Sequence, residues 1–78
     1  MAMSGEREWS DRAKRLMKSE LKRADVTYEE LARRLTEMGF RETKASIASK
    51  LSRGAFPTSF FLASMKAIGR QTFSIDDA

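Results

Sequence analysis

The sequence predicts a compact all-α domain of four helices, and three observations carry that prediction. Apolar residues recur at intervals of three and four along four separate stretches. Hydroxyl side chains that can cap a helix stand ahead of the last three: Thr27, Thr43 and, for the fourth, Thr58 or Ser59. Glycines close the same three at Gly39, Gly54 and Gly69, where a left-handed residue commonly ends a helix. The chain has 78 residues, enough for one domain with one core over residues 1–78, of which 1–5 and 76–78 are expected to be disordered.

Trp9, Ala13, Leu16, Met17, Leu21 and Ala24 form a single stripe, so the first helix runs from about Glu6 to Arg23, with Trp9 as a lid on the core. Arg12, Lys14, Arg15, Lys18, Lys22 and Arg23 read as its solvated outer face. Thr27 with Glu30 three places on makes a capping box, Val26 is set to staple against Leu31, and the second helix covers about Tyr28 to Met38. The third reaches from the Thr43 cap to about Arg53, with Ile47, Ala48 and Leu51 turned inward. Phe56-Pro57 must be extended, because a residue before proline avoids the helical region. Phe60, Phe61, Leu62, Met65 and Ile68 then make the fourth a core helix, and Met17, Met38 and Met65 are read as core fillers. After Gly69, Gln71 to Ile75 alternates polar and apolar as a short C-terminal strand would.

Composition narrows function. No cysteine and no histidine are present, which removes disulfides, thiolate metal sites, the usual general base near neutral pH and the commonest metal ligand. Carboxylate pairs such as Glu29 and Glu30 stand at a helix start, where they favour the dipole. The expectation is a non-enzymatic protein with no cofactor, no metal and no small-molecule substrate. No apolar run approaches a membrane span and the start is not signal-like, so a cytoplasmic protein without membrane association is expected. The net charge is +4, and its distribution is uneven. Residues 1–40 hold nine basic and eight acidic side chains, whereas 41–70 hold Arg41, Lys44, Lys50, Arg53, Lys66 and Arg70 against Glu42 alone.

A capped helix, a glycine break and a second helix with a basic, uncrowded outer face describe a helix-turn-helix. On the third helix Ala45, Ser46, Ser49 and Arg53 project away from Ile47, and Lys50 lies at the border. The small residues allow close approach to a major groove, and the cations can reach bases or phosphates. Thr27-Tyr28-Glu29-Glu30-Leu31-Ala32 and Ser49-Lys50-Leu51-Ser52-Arg53-Gly54, with Pro57 and Ala67-Ile68-Gly69 following, resemble the lambda-repressor-like, or XRE-type, helix-turn-helix family. The span from Trp9 through Ser52-Arg53-Gly54 to Phe60-Phe61 is also similar to a small bacterial domain family of unknown function. The first resemblance implies that Tyr28 meets a phosphate and that Lys44, Ser46, Ser49 and Lys50 meet bases or backbone.

The sequence therefore suggests a small transcriptional regulator that binds double-stranded DNA through Tyr28, Thr43, Lys44, Ser46, Ser49, Lys50 and Arg53. A homodimer is expected, because one helix reads few base pairs, with Phe73 and Ile75 pairing as strands across a two-fold axis or else covering the first helix. The rival reading is a helical protein-protein interaction module, in which Phe73 and Ile75 form a docking strand and the basic helix meets an acidic partner.

Overall fold

The four apolar stripes become four α-helices in a computed structural model that describes residues 5–77. They are α1 (Gly5–Ala24), α2 (Tyr28–Glu37), α3 (Lys44–Arg53) and α4 (Thr58–Ala67), and a short 3-10 turn (Ile75–Asp77) follows. Residues 1–4 and 78, to which part of the expected disorder was assigned, lie outside the described residues; Gly5 opens α1, and Asp76 and Asp77 belong to the 3-10 turn. Among the described residues no helix is long and apolar enough to cross a membrane.

Backbone hydrogen bonds decide where each helix stops. At the end of α2 the Gly39 amide donates to Thr36 O and the Phe40 amide to Leu35 O, both at 3.0 Å, while Gly39 turns left-handed at φ 96°. The same double bond pattern closes α4 at Gly69 and α1 at Asp25, which adopts φ 59° without being glycine. Gly54 is different. It is left-handed at φ 66°, and a Cβ there would stand 2.5 Å from the carbonyl oxygen of Ser10 on α1. Its missing side chain thus lets α3 end against the backbone of α1.

The core is built from α2, α3 and α4 closing on the second half of α1. Met17, Leu21, Leu31, Leu35, Ile47, Leu51 and Phe60 are buried, and Val26 and Met65 join them. Each fully buried aliphatic or aromatic side chain contributes about 1.5–3 kcal/mol relative to exposure. Phe56, Phe61 and Phe73 extend this core outward, with Phe73 set edge-on to Phe61 at 5.3 Å between ring centres. α3 packs against both α1 and α2, and α4 lies against α2.

Five local expectations are corrected. Thr27 accepts from the Glu30 amide at 3.1 Å, but the Glu30 carboxylate turns to Arg33 and Arg34 instead of completing a capping box. Helix α4 begins at Thr58 behind Pro57, with no side-chain cap from Thr58 or Ser59. Trp9 is 51% exposed and Met38 is 44% exposed, so neither fills the core. No strand forms among the described residues: Gln71 to Ser74 run without regular structure into the 3-10 turn, because no neighbouring strand offers a ladder to pair with.

Polar groups complete the frame. Glu20 is buried on α1, and Arg70 Nε stands 3.0 Å from its carboxylate, with Arg23 at 4.0 Å. Arg34 Nη1 donates to the Ala67 carbonyl at 2.9 Å, tying α2 to the C-terminal end of α4, where a cation also suits the helix dipole. Hydrogen bonds from Arg33 and then Arg34 hold the Glu30 carboxyl down at about 2, against an ordinary 4.5.

Two outcomes are expected. Gly54→Ala combines left-handed strain with a backbone clash and should cost about 3 kcal/mol in urea unfolding, roughly twice Gly39→Ala, whose Cβ would meet open space. Glu30 should titrate near pH 2 by carbon-detected NMR. Because its folded value is depressed, its contribution to stability is present above about pH 4.5 and fades as pH falls toward 2, and Glu30→Gln should remove that part of the acid dependence.

Candidate nucleic-acid interface

Six residues, Met38 to Thr43, join α2 to α3. That connection is longer than the three or four residues of a tight helix-turn-helix. Its end is held by a reciprocal cap: Thr43 Oγ1 accepts from the Ser46 amide at 3.1 Å, and Ser46 Oγ accepts from the Thr43 amide at 2.8 Å. A cap of this kind is worth about 1 kcal/mol. It occupies the hydroxyls of both Thr43 and Ser46.

Glu42, immediately before the cap, organises the same edge of α3. Its side chain is only 7% exposed, and its carboxylate accepts from Ser46 Oγ at 2.6 Å and from Lys50 Nζ at 2.9 and 3.1 Å. Lys50 Nζ also lies 5.3 Å from the centre of the Phe60 ring. Glu42 is the lone acid among the cations of residues 41–70, and the structure spends it on Ser46 and Lys50. Both residues were assigned from the sequence to DNA contact, and both are held by the protein itself. The spacing of Glu42, Ser46 and Lys50 by fours was the available signal for this clamp, since residues four apart share a helix face.

The remaining assigned residues separate into groups. Ser49, Lys44 and Arg53 are exposed on α3, and no side-chain hydrogen bond or ion pair engages them among the described residues. Tyr28, at the first position of α2, is partly buried with its ring against the core. Phe73 is partly buried against Phe61, and Ile75 is 59% exposed in the 3-10 turn. Phe73 and Ile75 share one apolar groove on the α1 side of the molecule and are not part of the α3 face.

What α3 presents outward is therefore small and cationic. Ala45, Ser49 and Ser52 are exposed between Lys44 at its start and Arg53 at its end, and Arg41 stands exposed just before it. The exposure of Ser52 and Arg41 adds two residues that sequence reasoning did not single out. Over ten residues the helix is roughly 15 Å long, so the two terminal cations stand about 13 Å apart along its axis. The first turn of α3 contains no acidic residue, whereas α1 has Glu6 and Glu8 and α2 has Glu29 and Glu30 in theirs. The Glu42 carboxylate, held at Ser46 Oγ just before the cap, already answers the positive end of this helix, and Lys44 and Arg41 remain exposed around it. No group of three or more acidic side chains that could hold a metal ion occurs among the described residues.

No curated protein and no solved structure matches the chain. A family model described as a domain of unknown function, DUF6471, matches residues 9–73, which take in nearly all of α1, the whole of α2, α3 and α4, and the tail as far as Phe73. With most of its length matched, the chain belongs to the DUF6471 family, a domain of unknown function.

Proposed function

We propose that this protein binds double-stranded DNA with α3 in the major groove, as a small non-catalytic transcriptional regulator. The observation that carries the reading is the outer face of α3: Ala45, Ser49 and Ser52 form a low ridge bounded by Lys44 and Arg53, with no carboxylate on it. A ridge of small side chains lets a helix backbone sit deep in a groove about 12 Å wide. Cations at its two ends then reach phosphates, and serine hydroxyls can face base edges. Support also comes from the order of elements, since a capped α2, a glycine-containing turn and a capped α3 packed on it follow the lambda-repressor-like pattern that the sequence resembles. The turn in this chain is longer, so the proposal rests on the face of α3 and not on a borrowed register.

Within this proposal Ser46 and Lys50 act indirectly. The Glu42 carboxylate and the cap hold them, and they fix the angle at which α3 leaves the turn. Arg41, Lys44 and Arg53 supply the phosphate contacts. Tyr28 stands half-buried against the core at the start of α2.

Duplex binding measured by fluorescence anisotropy across a salt series should show log K falling against log salt with a slope near −0.9 per phosphate contact. Lys44→Ala and Arg53→Ala should each flatten that slope by about one. Lys50→Ala should leave the slope nearly unchanged and lower thermal stability instead, because it strands the buried Glu42 carboxylate. Binding that ignores salt, or no binding to any duplex below micromolar protein, would overturn the proposal and favour a protein-binding module.

A further inference from the structure

On the side of α1 away from its buried half, Trp9, Leu16, Phe56, Phe61, Phe73 and Ile75 enclose an open groove of about 260 Å³. Its walls come from three places in the chain: the start of α1, the α3–α4 connection with α4, and the tail. Two of the four large apolar side chains exposed among the described residues, Trp9 at 51% and Ile75 at 59%, stand on this one groove. Single exposed apolar residues need no explanation, but an aromatic and an aliphatic side chain gathered around one apolar cleft mark an interaction site. Among the described residues Thr58 is the one uncharged polar residue in the lining and no charged residue lines it, so the groove they form is apolar.

We propose that this groove face is the contact surface between two copies of the chain. A two-fold contact requires one patch to hold both the projection and the recess that receives it. Trp9 and the groove beside it meet that requirement, since the indole both lines the cleft and stands half outside it. The charge pattern at the edge is also self-complementary. Arg12 lies over the Trp9 ring at 4.7 Å and is paired with Glu8 at 3.1 Å, so an acid and a base stand side by side on the rim. A two-fold axis sets such a pair against its own reverse. Glu8 and Arg12 offset one another there and Asp76 stands exposed beside Ile75, so on a chain of net charge +4 these groups bring no excess of cations to the rim, which lets two like-charged copies approach.

This contact replaces the strand pairing expected for Phe73 and Ile75. Phe73 keeps its place by setting its ring edge-on to Phe61, and Ile75 projects from a 3-10 turn. The groove alone falls short of the roughly 800 Å² per partner of a standard stable interface, so the dimer is weak and reversible.

The test uses the full chain without DNA, so its outcome is separate from that of the DNA-binding proposal. Trp9 is the single tryptophan and reports on its own burial. Sedimentation velocity from about 1 to about 500 µM should show a monomer passing to a dimer, accompanied by a blue shift of tryptophan emission over the same range. Ile75→Asp, past the last helix, should raise the dissociation constant at least about tenfold with circular dichroism unchanged. Met38→Asp, at another exposed apolar residue that does not line the groove, should leave it unchanged. A monomer at every concentration overturns the proposal. So does a dimer whose tryptophan emission does not move, or one that Ile75→Asp fails to weaken.

Discussion

Ile47 and Leu51, one turn apart on α3 and fully buried, are the anchor on which the other arrangements depend. They are the two buried residues of a ten-residue helix, yet they place it against both α1 and α2. Two anchors with Ala48 beside them leave most of the helix circumference outside. The narrowness of that inner stripe is why α3 can present Ala45, Ser49 and Ser52 to solvent while remaining fixed. Gly54 then lets its end approach Ser10, a distance that any side chain there would lengthen.

The helices and their ends were legible in the sequence because their causes are local. The glycine stops, the Thr27 and Thr43 caps and the apolar periodicity each involve residues within about one turn of one another. The interior of the site was less so. Glu20 and Arg70 are fifty positions apart and meet only once α4 has packed, so nothing near either residue announces the pair. Arg34 reaches Ala67 across thirty-three positions. Glu42, Ser46 and Lys50 lie close in sequence, but a basic helix edge and a clamped one look the same until the burial of Glu42 is known.

Trp9 and Met38 show the opposite error. Both lie in phase with buried neighbours, but both stand at a helix end, where no further element covers them. Periodicity identifies a face and not how far a core extends along it. The alternation in Gln71 to Ile75 misleads for a related reason: a strand needs a partner, and an all-helical domain supplies none.

Internal pairing also determines where the charge acts. Glu8 with Arg12, Asp11 with Lys14, Glu20 with Arg70, Glu30 and Glu37 with Arg33, and Glu42 with Lys50 are closed within the chain. At physiological salt the Debye length is about 8 Å, and beyond it a closed pair has almost no field. What projects further comes from cations without such a partner, and Arg41, Lys44 and Arg53 gather at the two ends of α3. A formal +4 would be a weak signal if spread evenly. Within residues 41–53 the Glu42 clamp compensates Lys50 alone, so Arg41, Lys44 and Arg53 stay uncompensated around the one helix whose outer face is low enough to approach a groove, while no charged residue is among the described residues that line the groove at Trp9 and Ile75.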